Sequence, residues 1–178
     1  MKKVNINYST FELIIGDITK QDTQAIVNAA NNRLIPGGGV DGAIHRAAGP
    51  KLYGECKKLG GCKTGEAKLT KGYNLNSKYV IQTVGPRYSG LKKDKEKLRL
   101  CYINCLKIAK KNNIRSVSFP AISTGVYGYP IRESAKIALS AVIDFIKNDS
   151  SIQLIRFILF DINAYDIYEN ELKSILKK

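Results

Sequence analysis

Ala25-Ile26-Val27-Asn28-Ala29-Ala30-Asn31-Asn32, followed four residues later by Gly37-Gly38-Gly39-Val40-Asp41-Gly42, is the stretch that decides the fold. Its first four residues read as a short buried strand. Asparagines and glycines form the loop that follows, and Val40 to Ala48 has helical spacing up to a break at Gly49-Pro50. Each glycine costs about 0.5–1 kcal/mol against Ala in ordered structure. A run of three therefore needs a reason. Close backbone approach to a ligand is one, and a tight loop with positive φ is the other. The loop also opens a helix, whose N-terminal amides form a natural anion site.

Outward from this unit the pattern continues. Two strand-like segments, Val4–Tyr8 and Phe11–Ile15, open the chain around Ser9-Thr10, and the second ends at Gly16-Asp17-Ile18-Thr19. Downstream, a helix reaches about Leu59, and strands are read at Glu66–Lys71 and Tyr79–Val84. The spacing of Leu98, Tyr102, Cys105, Leu106 and Ala109 predicts a helix over Lys93–Lys111. Ser116–Ala121 reads as a strand, Ser123–Tyr129 as a second glycine loop, and Pro130 as the first turn of a helix to about Lys147. Leu154–Phe160 is a buried strand and Tyr165–Leu176 a final helix. Alternating strands and helices predict a sheet flanked by helices, and the opening strand pair makes that sheet mixed. No repeat or low-complexity linker divides residues 1–178, so one domain is expected.

Composition narrows the function classes. With 178 residues, 44% of them hydrophobic, the chain can bury a real core. No apolar run approaches the roughly 20 residues of a membrane helix. Met1-Lys2-Lys3-Val4-Asn5 lacks the apolar core of a secretory signal, so a cytoplasmic protein without membrane contact is expected. The net charge of +14 invites a nucleic-acid partner. Yet only seven of the 29 basic side chains are Arg, the residue that base edges and phosphates favour. The one local cluster, Lys92-Lys93-Asp94-Lys95-Glu96-Lys97, also holds two acids and reads as a solvated helix start. A Lys-rich surface for solubility and an electrostatic funnel for an anionic ligand both fit. Cys56, Cys62, Cys101 and Cys105 lack zinc spacing, and His45 is the only His, so no metal is expected.

Two glycine loops, each leaving a buried strand and entering a helix, could clamp one anion from both sides at the carboxyl ends of the strands. Gly37-x-Gly39-x-x-Gly42 literally matches the dinucleotide fingerprint. However, about eight residues separate it from its strand, and the acid expected about 20 residues on is missing. Gly61-Cys62-Lys63-Thr64 lacks the residue order of a P-loop. Asn28, Asn31 and Asn32 carry amides that both donate and accept, which suits sugar hydroxyls. Asp41, directly after the glycines, reads either as a helix cap or as a reactive carboxylate. His45 lies four residues on, on the same helical face.

Taken together, Gly16-Asp17-Ile18-Thr19, Val27-Asn28-Ala29-Ala30-Asn31, Gly37–Gly49 and Ser123–Pro130 resemble a macrodomain. Val40–Gly49 and Gly61–Ala67 look like its MacroD subgroup. The resemblance covers nearly the whole chain in the family's order. It implies a three-layer α/β/α sandwich with a central mixed sheet, and binding of ADP-ribose over the strand ends.

Residue by residue, the resemblance implies that Asp17 accepts the adenine amino group with Ile18 beside it, while Phe160 stacks on the adenine. Asn28 joins the ligand-binding set. Gly37, Gly38, Gly39 and Val40 approach the diphosphate and distal ribose, and Ser123, Thr124, Gly125, Val126 and Tyr127 wrap the diphosphate. Asn31 bonds the ribose hydroxyls, Tyr127 packs on that ribose, and Asp41 positions or deprotonates water. His45 supports Asp41 or the loop. MacroD-like proteins remove ADP-ribose from acidic side chains and deacetylate O-acetyl-ADP-ribose, with no metal or cofactor. The partners implied are ADP-ribose or ADP-ribosylated proteins. The alternatives are a reader that binds without turnover and a nucleic-acid binder driven by charge.

Three departures stand out. Gln82 occupies a position where relatives often carry His, and little effect is expected because its strand lies away from the chemistry. Asn76-Ser77 replaces a common Pro-Ala. The Lys92–Lys97 segment is more basic than the family pattern, which bears on partner choice.

Overall fold

The computed structural model describes residues 2–177. Seven strands form one sheet: β1 (Lys2–Ile6), β2 (Ser9–Ile15), β3 (Ala25–Ala29), β4 (Ala67–Lys71), β5 (Tyr79–Thr83), β6 (Ser116–Phe119) and β7 (Leu154–Leu159). Their order across the sheet is β1-β2-β7-β6-β3-β5-β4. The five central strands run parallel, and β1 and β4 close the two edges antiparallel. The mixed sheet expected from the sequence is therefore present.

Strand alternation sorts the side chains onto two faces. Ile26, Val80 and Ile158 pack with α1 (Gly39–Ala48) and α2 (Pro50–Lys58). Val27, Ile81 and Phe157 pack under α3 (Lys92–Lys111), α4 (Ile131–Asn148) and α5 (Ile162–Leu176). The second face is the larger core, built on a cluster of Phe11, Tyr102, Phe119, Phe157 and Tyr168 with ring centroids 5.4–5.9 Å apart. Burying each such ring stabilises the fold by about 1.5–3 kcal/mol. Two helical layers around one sheet make the three-layer sandwich. No helix among the described residues is long and apolar enough to cross a membrane.

Chain direction positions the site. After β3 the chain moves through α1 and α2 to β4 and β5 on one side. After β6 it moves through α4 to β7 on the other side. The loops leaving β3 and β6 therefore part at a switch point, where open α/β sheets form their ligand crevice.

Boundaries differ from the sequence reading in physically readable ways. The first hairpin turns at Asn7-Tyr8 rather than Ser9-Thr10, because Asn7 takes φ +51°. Ser9 belongs to β2, where its hydroxyl donates to the Ile152 carbonyl at 2.5 Å. Ile18–Lys20 forms a single 3-10 turn, capped by Asp17. Pro130 sits just before α4 rather than in its first turn. α5 begins three residues earlier than expected because the Asp161 carboxylate accepts from the Ala164 amide. All four cysteines are buried free thiols.

Candidate active site

Asn28 and Gln82 are in phase with Ile26 and Val80, so both point toward α1. They face each other across the β3–β5 pair. From there a buried polar chain runs to the glycine loop. The Thr70 hydroxyl donates to the Val80 carbonyl at 3.1 Å, so its oxygen is left to accept from Gln82 Nε2, also at 3.1 Å. That fixes Gln82 Oε1 toward Asn28 Nδ2 at 2.8 Å, and the other Asn28 amide hydrogen goes to Asp41 Oδ1 at 2.6 Å. The second Asp41 oxygen accepts from the Gly37 amide at 2.6 Å. Asn28 and Gln82 are fully buried, and Asp41 is 5% exposed.

Asp41 is thus more than a helix cap. It lies in the first turn of α1 and reaches back to hold the loop that precedes the helix. Gly42 makes this possible. A Cβ there would sit 2.4 Å from the Gly37 carbonyl oxygen, so only glycine lets the loop lie on the helix. Gly42→Ala is expected to push the loop off Asp41 and cost about 1–3 kcal/mol of stability. A thermal melt together with an ADP-ribose titration checks this, and both are expected to weaken.

His45 is buried one turn along, with Nε2 3.5 Å from Asp41 Oδ1 and Nδ1 without a partner. Burial lowers its pKa below the ordinary histidine value against the opposing pull of the Asp41 charge, which leaves the imidazole neutral near pH 7. Its ring therefore lies beside the Asp41 carboxylate, one turn further into α1.

The remaining site residues gather at the same end of the sheet. Gly37, Gly38 and Gly39 are exposed, and Val40 is half-buried. Gly39 takes φ +56°. Among the described residues the amides of Gly38, Gly39 and Val40 donate to no protein acceptor, as expected at a helix start. Across the switch point, the amides of Thr124, Gly125, Val126 and Tyr127 are likewise uncommitted among the described residues. This second loop is closed by Tyr129 N donating to the Ser123 carbonyl at 2.9 Å and Gly128 N to Gly125 at 2.9 Å. Ser123 holds φ +67° with its buried hydroxyl unpartnered, a strained arrangement of the sort found at ligand sites. Two facing sets of free amides can cradle a diphosphate without any cationic side chain.

At the β2–β7 side, Gly16 N donates to the Leu159 carbonyl at 3.0 Å, which brings Asp17 beside Phe160. Phe160 is 93% exposed, so it is no core residue. Asp17 is exposed, with Oδ1 accepting from the Thr19 amide and hydroxyl. The Thr19 hydroxyl bond leads in holding the Asp17 carboxyl below its usual range. Ile18 turns its side chain into the core, so only its backbone borders the crevice. Asn31 is half-buried, with Nδ2 donating to the Ile35 carbonyl and Oδ1 accepting from the Ile35 amide. It shapes the loop and keeps one amide hydrogen for another partner. Tyr127 lies half-buried under the Arg87 guanidinium, 4.8 Å from its ring.

Two expectations are corrected here. Asn28, read as a ligand contact, is fully buried, and both of its amide hydrogens are used on Asp41 and Gln82, so it supports the carboxylate instead. Gln82, expected to lie away from the chemistry, stands one hydrogen bond from Asn28 and two from Asp41. The sequence reading also passed over Gly85 and Arg87. A Cβ at Gly85 would fall 2.0 Å from Ser123 Oγ, so the second loop depends on that glycine. The signal was present in the register: once Asn28 is opposite Gln82, Gly85 follows at the strand end. No group of three or more metal-ligating side chains exists among the described residues.

Loops of free amides at the switch point of an α/β/α sandwich define the class of phosphate-cradling α/β domains. Within that class the chain belongs to the Macro domain family, whose model matches residues 27–138. Among relatives, it is 53% identical over 169 residues to an uncharacterized protein, FN1951, of Fusobacterium nucleatum, covering 93% of this chain and 96% of that one. It is 51% identical over 162 residues to the human ADP-ribose glycohydrolase MACROD2, covering 89% of this chain but only 38% of MACROD2. Among solved structures, the Oceanobacillus iheyensis macrodomain with ADP superposes with a TM-score of 0.96 at 44% identity, covering 99% of this chain and 96% of that one. The Trypanosoma brucei macrodomain in complex with ADP-ribose gives 0.86 at 45% identity, covering 90% and 68%.

Proposed function

We propose that residues 1–178 act as one macro domain that binds ADP-ribose and hydrolyses the ester linkage at its distal ribose. The observation that carries this reading is the Asp41 carboxylate, buried at 5% exposure and bonded to both Asn28 and Gly37 at the mouth of a crevice rich in free amides. Phe160 stacks on the adenine and Asp17 accepts its amino group. Gly37–Val40 and Ser123–Tyr127 hold the diphosphate, and Asn31 and Tyr127 hold the distal ribose. Asp41 positions and activates a water through the lone pairs left on its oxygens. Loop amides stabilise the charge that develops. Water enters, and the products are ADP-ribose and a carboxylic acid, whether the substrate is ADP-ribosyl-glutamate, ADP-ribosyl-aspartate or O-acetyl-ADP-ribose. ADP-ribosylated proteins are the macromolecular partners. Four buried free thiols suit a reducing compartment, and we place the protein in the cytoplasm.

Calorimetric titration with ADP-ribose tests the binding half. A single site is expected. Phe160→Ala is expected to weaken it roughly 5- to 150-fold, the equivalent of one lost base-stacking contact. Its melting temperature should stay unchanged, because the ring is 93% exposed. Equal affinity in the variant would remove Phe160 from the site. The second reading, a reader without turnover, draws on one observation: both Asp41 oxygens are already bonded to protein. Product analysis separates the two.

A further inference from the structure

Beside the crevice lies a second cavity of about 340 Å³. Its walls come from Asn32 and Thr64, from Arg87 after β5, from Lys93 and Lys97 at the start of α3, and from Tyr127. We propose that this cavity receives acidic side chains flanking the modified residue of an ADP-ribosylated protein. The inference rests on the ADP-ribosyl-carboxylate reading above and adds how that site would choose its protein.

Position comes first. Tyr127 lines the cavity and also closes the distal-ribose end of the crevice in the proposed binding mode. Asn32 follows Asn31 directly in the β3 loop. A chain attached at that ribose would leave the crevice past these residues. The Tyr88 amide donates to the Tyr127 carbonyl at 2.9 Å, which ties the Arg87 loop to the crevice loop. The two sites therefore share a wall.

Charge comes second. Arg87, Lys93 and Lys97 form no ion pair among the described residues. The one acid in the lining, Asp94, is 4% exposed, and both its oxygens accept from Ser89. It is thereby turned to capping a turn. Arg87 is held in place over the Tyr127 ring. Lys97 lays its stem along Gly65, where a Cβ would come within 3.1 Å of Lys97 Cδ. Lys93 and Lys97 are four residues apart on α3 and share a face. Arg87, Lys93 and Lys97 against the single Asp94 leave this space an excess of two positive charges, which matches two or so carboxylates. A smaller cavity shares Asn32 and is lined by Lys63, Lys68 and Glu66, a net of one further positive charge on the side away from the crevice.

The test uses hydrolysis-resistant, triazole-linked ADP-ribosyl peptides that differ only in flanking residues, two Glu against two Gln. Free ADP-ribose is measured alongside. Wild type is expected to bind the Glu-flanked peptide roughly tenfold more tightly than the Gln-flanked one. In the double variant Lys93→Gln/Lys97→Gln that preference should fall to about twofold or less, with free ADP-ribose affinity unchanged. Lys107→Gln/Lys111→Gln removes the same charge from the far end of α3 and should keep the preference. If free ADP-ribose does not bind, the reading of the site fails and takes this inference with it. If ADP-ribose binds but wild type shows no preference, the inference alone is overturned. Equal losses in the two double variants would mean general attraction by the net charge, and would also overturn it. A single-stranded oligonucleotide that binds more tightly than the peptide, with the same loss in Lys93→Gln/Lys97→Gln, would assign the cavity to nucleic acid instead.

Discussion

Asp41→Ala is expected to lower kcat for release of ADP-ribose from a glutamate-linked conjugate by about 10²- to 10⁴-fold, the range that a positioned general base contributes. The loss has three physical sources. The carboxylate that orders water is gone, and so is the acceptor at 2.6 Å that holds the Gly37 amide. A buried Asn28 amide hydrogen also loses its partner. Asp41→Asn separates these contributions. With its amide oxygen turned to the Gly37 amide it keeps that bond, while its NH2 meets the Asn28 amide donor and it has no carboxylate to activate water. If Asp41→Asn retains ADP-ribose affinity and loses turnover, the water role carries the effect. If both variants release ADP-ribose at the wild-type rate, Asp41 is a loop anchor only and the hydrolytic role proposed for it is wrong.

Gln82→Leu is expected to be the most damaging substitution outside the crevice. It leaves one Asn28 amide hydrogen without its acceptor and the Thr70 oxygen without its donor, both in fully or nearly fully buried surroundings. Each stranded group costs about 1–3 kcal/mol, so the pair costs about 2–6 kcal/mol. For a chain of this size that is a fall in Tm of roughly 5–20 °C. Function should suffer separately, because an Asn28 no longer oriented by Gln82 holds Asp41 less firmly. About a tenfold loss in kcat, measured well below the melting temperature, corresponds to only 1.4 kcal/mol. Val80→Ala, a core truncation on the same strand and face, supplies the control. It should lower Tm by a similar order and leave kcat near wild type. If the two variants lose stability and rate in the same proportion, Gln82 is structural and does not position Asp41.

Much of this molecule could be read from local patterns. The apolar strands, the periodicity of α3 and the two glycine loops are properties of neighbouring residues, so the layers and the crevice loops followed from sequence. Asp41 stood out by its place directly after the glycines, whereas Phe160 was picked out only by the family resemblance. The Asn28–Gln82 pair was hidden because it depends on strand register across 54 positions of sequence. A polar residue in an apolar strand says that it needs a partner, but not which strand supplies it. Order within the sheet was equally hidden, since β3 and β6 adjoin although α1, α2, β4, β5 and α3 lie between them in the chain. The Asn7 turn and the Asp161 cap were local signals that the apolar pattern outweighed.

The charge of +14 takes on a different meaning in three dimensions. The two loops proposed to hold the diphosphate contain no Lys or Arg, so in that proposal the contacts come from neutral amides. Arg87, Lys93 and Lys97 sit instead beside the crevice, around the cavity proposed to receive acidic side chains. This separates recognition of the nucleotide from recognition of whatever carries it.

The central claim is turnover, and a multiple-turnover assay addresses it most directly. Wild-type protein is mixed with an excess of a glutamate-linked ADP-ribosyl peptide, and free ADP-ribose is followed over time. Many equivalents of ADP-ribose per protein, with unmodified peptide as the other product, are expected. A protein that binds ADP-ribose at a single site yet releases none from the conjugate would contradict the account and leave a reader in its place.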